Sequence, residues 1–153
     1  MKEISKKDRG ELSLEEVLSF ALRLELKAQK LYEKIDEKNN EKSVEYIVER
    51  LIEDEESHES KIRSMFNDFF PDKEIEDLDI GDQIADDMEI KSEEYTVDEL
   101  LKSAIEKEKN SSEFYRNMAK GFDEKAASNL LSYLAYTENE HRNLLKRELS
   151  DRV

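Results

Sequence analysis

Laid against itself with a shift of 83 residues, the chain comes back into register: segment 13–66 falls on segment 96–149. A repeat of this kind limits the fold severely. Whatever one half builds the other must build again, and the two must bury a face together. Each copy opens on the same signal. Ser13 with Glu16, and Thr96 with Glu99, form the Ser/Thr-x-x-Glu pattern that caps a helix start reciprocally. Asn40 falls on Asp123, and both are expected N-caps for a second helix in each copy. Each half therefore reads as helix, short turn, helix. The expected spans are 14–37, 41–66, 97–120 and 124–149, with Gly121 suited to ending the third.

Along these helices, and just past the end of the second, mostly apolar residues recur at alternating three- and four-residue steps. The first helix carries Leu14, Leu18, Ala21, Ala28, Tyr32 and Ile35; the second Val48, Leu51, Ile62, Met65 and Phe69. The third carries Val97, Leu101, Ala104, Ser111, Tyr115 and Met118, and the fourth Ala127, Leu131, Leu134 and Leu145. With 3 Gly and 1 Pro in 153 residues, little interrupts a helix, and an apolar share of 37% suits a narrow seam between helices. The expectation is an all-α fold, an antiparallel four-helix bundle forming a single domain over 1–153. Residues 67–95 are too long for a tight turn and read as one long crossover between helices 2 and 3. They hold 12 acids against 2 lysines, and Ile80, Ile84 and Met88 recur at the spacing of a short surface helix.

The seam as written has gaps, and polar residues fill them: Glu25, Glu55, His58, Glu108, Glu138 and His141. The repeat pairs Glu25 with Glu108, Glu55 with Glu138 and His58 with His141. It also sorts the acidic run "IEDEESHE" (52–59). Glu53 meets Tyr136, Asp54 meets Thr137, Glu56 meets Asn139 and Glu59 meets Arg142, so only Glu55 and His58 keep their chemistry. The other acids are expected on a solvated face.

Burial decides what the six can be. An unpaired carboxylate in a core costs on the order of several kcal/mol, and four together also repel one another. Two divalent cations would cancel the charge of four carboxylates beside two neutral imidazoles. The i, i+3 spacing of Glu55 with His58, and of Glu138 with His141, aims each pair at one point inside the bundle. Glu25 and Glu108, one on each remaining helix, can then bridge or cap the ions. Mixed carboxylate and imidazole ligation suits iron, manganese or a mixed pair of the two.

Composition also excludes. A net charge of −15 argues against nucleic acid and against an anionic membrane surface. The absence of Cys removes disulfides, thiolate metal sites and thiol nucleophiles. The opening "MKEISKKDRGEL" lacks the apolar stretch of a secretory signal, and no run approaches transmembrane length, so a cytoplasmic location is expected.

The stretches "LRLELKAQKLYEKI" (22–35), "LIEDEESHESKI" (51–62), "AIEKEKNSSEFYRNM" (104–118) and "LAYTENEHRNLL" (134–145) resemble the ferritin-like superfamily, specifically its rubrerythrin-type di-iron domains. The resemblance implies a pair of iron ions on the six residues named. It implies reduction of peroxide or dioxygen, with Glu25 and Glu108 shifting between bridging and terminal binding, and a homodimer. Tyr32 and Tyr115, each seven residues after a seam glutamate, match a tyrosine often found near the metals in that family. Two departures stand out. Without Cys there is no appended iron domain to feed electrons, so a separate donor protein is implied. Where rubrerythrins tend to carry an extra carboxylate one turn after the helix 3 glutamate, this chain has Ser111, mirrored by Ala28. Two other uses of the same ligands are bacterioferritin-like iron oxidation and storage, and a structural or metal-homeostasis bundle without turnover.

Overall fold

A computed structural model describes residues 12–75 and 94–152. Four helices account for most of them: α1 (Leu14–Lys38), α2 (Lys42–Phe69), α3 (Val97–Lys120) and α4 (Lys125–Asp151). The repeat is visible in the caps. Ser13 N–H donates to Glu16 Oε1 at 2.9 Å and Glu16 N–H donates to Ser13 Oγ at 3.1 Å. At Thr96 and Glu99 the same two bonds measure 2.9 and 3.1 Å. Each such cap is worth about 1 kcal/mol and fixes where α1 and α3 begin.

The second helix of each half starts one residue later than the Asn40 and Asp123 reading. The N-caps are Glu41 and Glu124. Glu41 makes no side-chain cap bond; instead Asn39 brackets it, accepting from Glu41 N–H at 2.9 Å and donating to Glu41 O at 2.8 Å. This local side-chain bonding turns the chain before α2 can start. Gly121 does end α3, but at φ −87° and ψ −9°, a conformation open to any residue, so its left-handed freedom is not used. Helix α2 runs three residues past its expected end. It stops at Phe70, where the following Pro71 disfavours a helical backbone.

Two apolar clusters set the topology. One joins Leu18 and Leu22 of α1, Ile62 and Phe66 of α2, Tyr115 and Met118 of α3, and Ala127 and Leu131 of α4. The other joins Leu31 and Ile35 of α1, Val44 and Val48 of α2, Leu100 and Leu101 of α3, and Leu145 of α4. The start of α1 therefore lies with the ends of α2 and α3 and the start of α4. Helices α2 and α3 point the same way, and α2 ends at the opposite end of the bundle from where α3 begins. That is the arrangement of a ferritin-like bundle, whose one long crossover joins helices 2 and 3. The surface helix expected around Ile80, Ile84 and Met88 lies outside the described residues.

Polar ties close both ends. Arg152 at the end of α4 reaches Glu41 at 2.8 Å and Asp98 at 2.5 Å, joining the starts of α2 and α3. Lys73 beyond α2 meets Glu15 of α1 at 2.8 Å. The expected seam is buried almost throughout. On α2 it drifts by one position, so Phe66 is fully buried while Met65 and Phe69 are only partly covered. No helix among the described residues is long and apolar enough to cross a membrane.

Candidate metal centre

Between the two apolar clusters lies a polar layer. The structure brings all six gap residues into it, with Glu25 and Glu55 wholly buried, Glu108 and Glu138 1% exposed, His58 2% and His141 5%. Each helix contributes at mid-length, where neither end can offer backbone groups or water. His58 Nδ1 lies 2.9 Å from Glu25 Oε1, 3.0 Å from Glu55 Oε1 and 3.2 Å from Glu138 Oε1. His141 Nδ1 lies 2.9 Å from Glu108 Oε2 and 3.5 Å from both Glu55 Oε1 and Glu138 Oε1. The two imidazoles are nearly parallel, their centroids 5.9 Å apart.

These distances resolve into two interlocking sets of potential ligands. Glu25, Glu55, His58 and Glu138 form one; Glu55, Glu108, Glu138 and His141 form the other. Within each set one ligand atom per residue lies within 4.8 Å of the rest. Glu55 and Glu138 belong to both, so they occupy the shared position between the two sets. Glu25 and Glu108, which the sequence pattern offered for bridging or capping, each belong to one set and stand at its outer edge.

The donor chemistry fits divalent cations. Both oxygens of Glu55 and Oε1 of Glu138 are buried and complete no well-aligned hydrogen bond, although His58 Nδ1 stands 3.0 Å from Glu55 Oε1 and 3.2 Å from Glu138 Oε1. Native interiors rarely leave such acceptors empty, because each costs on the order of 1–3 kcal/mol or more when charged. Electrostatics agree. Burial, and next to it the charge of Glu138, pushes the Glu55 carboxyl well above the ordinary carboxylate range. Burial likewise raises Glu25, takes Glu108 up to about 8 and takes Glu138 up to about 7. Burial opposes charge on His58, but the Glu138 and Glu25 carboxylates against its ring outweigh it and raise its pKa to about 10. A layer that clings to protons in this way wants positive charge, and metal ions would displace those protons.

Both tyrosines reach the cluster, and each does so across the repeat. The Tyr115 hydroxyl of α3 donates to Glu25 Oε2 of α1 at 2.5 Å. Tyr32 of α1 hydrogen-bonds Glu108 of α3. Burial and then the nearby carboxylates hold both phenols well above their usual pKa, so they remain donors. Each orients the outer glutamate of the opposite half.

Two contacts escaped the sequence reading. His58 Nε2 lies 3.1 Å from Thr137 Oγ1, and His141 Nε2 lies 3.0 Å from Asp54 Oδ2. The sequence pattern groups Asp54 with the solvated acids, because Thr137 faces it in the repeat. Its side chain is 44% exposed, yet it bonds a buried ring. The available signal was position rather than identity. Both residues immediately precede a shared glutamate, and both reach from α2 to α4 or back.

The layer meets the surface on two sides. A hollow of about 320 Å³ between α2 and α4 is lined by Asp54, Thr137 and His141, with Arg50 and Arg147 at its margin. On the opposite side, a cleft of about 150 Å³ between α1 and α3 reaches Glu108 past Ala28 and Ser111. The small residues at 28 and 111 leave this cleft open.

A sequence model of the rubrerythrin family matches residues 16–149. The fold is similar to that of a hypothetical protein from Pyrococcus furiosus, at 24% sequence identity and a TM-score of 0.73. The match covers 96% of this chain and 94% of that one. No curated protein matches the chain.

Proposed function

The chain belongs to the rubrerythrin family, and from that premise we propose that its buried layer holds two iron ions and reduces peroxide or dioxygen. Electrons come from a separate donor protein. The observation that carries this reading is the pair of ligand sets sharing Glu55 and Glu138, three of whose buried oxygens complete no hydrogen bond. Glu25, Glu55, His58 and Glu138 would hold one ion, and Glu55, Glu108, Glu138 and His141 the other. When bound, the pair would supply two electrons to the oxidant and act as a Lewis acid toward it. For hydrogen peroxide the balance is H2O2 + 2 H+ + 2 e− → 2 H2O.

The chain's own residues supply position and exclusion. Apolar clusters on either side keep the layer free of bulk water. Tyr115 holds Glu25 by Oε2, leaving Oε1 turned toward His58 and the layer, and Tyr32 hydrogen-bonds Glu108. The cleft past Ala28 and Ser111 admits a molecule of the size of peroxide to the Glu108 side. The described helices carry no Cys to bind iron, so on this reading electrons reach the layer from a docked donor.

The test is anaerobic loading with two equivalents of ferrous iron, followed by stoichiometric peroxide. The expected outcome is one peroxide consumed per two irons, repeated after each re-reduction and faster than with free ferrous iron. Consumption no faster than free iron removes the redox reading. It would leave a metal-holding bundle, which the missing carboxylate at Ser111 and Ala28 favours as the second reading.

A further inference from the structure

The inner cluster obeys the repeat residue for residue, whereas its outer contacts do not. His58 and His141 are equivalent positions, as are Asp54 and Thr137, yet one ring meets a carboxylate and the other a hydroxyl. The direction of both bonds can be settled. A carboxylate only accepts, so His141 donates Nε2–H to Asp54. The Thr137 hydroxyl gives its proton to Leu134 O at 3.1 Å, so it accepts Nε2–H from His58. Both rings therefore turn Nδ1 toward the carboxylates of the layer. They differ in what stands behind them.

We infer that the two metal positions are unequal, and that Asp54 makes the position built on Glu108 and His141 fill first and bind more tightly. A hydrogen bond to an ionised acceptor is roughly twice as strong as one to a neutral hydroxyl. A carboxylate behind a ligating imidazole raises its basicity and fixes its ring, and losing such a partner costs about 10–100-fold in metal affinity. Thr137, already committed to Leu134, gives His58 orientation with little added basicity. Tyr133, whose ring edge meets His58 with centroids 5.8 Å apart, packs that ring without adding charge. Asp54 is a positioning residue that acts through His141. This inference rests on reading the layer as a two-metal site.

The experiment uses the full chain, freed of metal and crystallised with one equivalent of Mn2+, with anomalous scattering to locate the ion. Wild type should show a peak at the Glu108–His141 position several-fold stronger than at the Glu25–His58 position. In Asp54→Asn, an isosteric change at a half-exposed side chain, the two peaks should approach equality. Thr137→Asp should also level them, by strengthening the weaker position. In solution, Mn2+ titration should resolve two steps about tenfold or more apart in wild type, merging in Asp54→Asn. Equal peaks in wild type, a stronger peak at Glu25–His58, or a preference unchanged in Asp54→Asn would overturn the inference while leaving the two-metal reading intact. No Mn2+ at either position would overturn both.

Discussion

At one end of the bundle Leu18, Leu22, Phe66 and Leu131 bury one another, and at the other end Leu31, Ile35, Leu51 and Leu101 do the same. Between them the same four helices present four glutamates and two histidines to a space equally closed to water. The ends are finished by their own packing, each buried Leu or Ile contributing about 1.5–3 kcal/mol. The middle is not. Its carboxylates repel, hold protons and leave oxygens without a completed hydrogen bond, so within this chain it is a net cost. The contrast separates what stabilises the fold from what the fold is for: the ends carry the layer, and on the proposed reading cations complete it.

Removing metal should expose that contrast most strongly. At a thousandfold excess over the dissociation constant, each bound ion adds about 4 kcal/mol, so two add about 8. Chelation should lower the melting temperature sharply, and denaturant unfolding with and without metal measures the difference. Truncation at an end, Leu22→Ala or Leu131→Ala, should cost about 2–5 kcal/mol. That cost should be similar with metal bound or stripped, because the cavity opens outside the polar layer. A cost that doubled on loading would mean ends and middle are not separate.

The smallest effect is a reversed pH dependence of the metal-free chain. Glu138 and Glu108 keep their protons up to about 7 and about 8 when folded, against an ordinary value of 4.5. His58 keeps its proton up to about 10, against 6.5. Between pH 4.5 and 8 for the acids, and 6.5 and 10 for His58, the folded state binds more protons than the unfolded one. Stability of the metal-free chain must therefore fall as pH rises across these windows. Metal binding, which expels those protons, should strengthen over the same range. Melting the chelator-treated chain from pH 5 to pH 9 checks the sign.

Much of this was legible in the residues. Capping boxes 83 positions apart announced two hairpins. Polar residues recurring in an apolar seam marked the layer, because burial is expensive and a duplicated expense needs a reason. What was missed has a physical pattern. The α2 cap slid by one residue because Asn39, rather than Asn40, could bracket Glu41 from the turn, and the α4 cap because Glu124 accepts from Ala126 N–H with its own side chain. Phe66 displaced Met65 and Phe69 because an α-helix turns slightly more slowly than the seven-residue step assumed. Asp54 and Thr137 were set aside because they differ chemically, although each supports a histidine from the equivalent place. A repeat reveals shared roles only when position is weighed along with residue type. That Glu55 and Glu138 belong to both sets of potential ligands needed coordinates, since no spacing along one helix says which carboxylates stand between two others.

The most direct measurement is anaerobic equilibrium dialysis of the metal-free chain against Mn2+, run beside Glu55→Ala and Glu138→Ala. If the middle layer is a two-cation site bridged by these glutamates, wild type retains two ions per chain and each variant retains at most one. Two ions in either variant, or none in wild type, would contradict it.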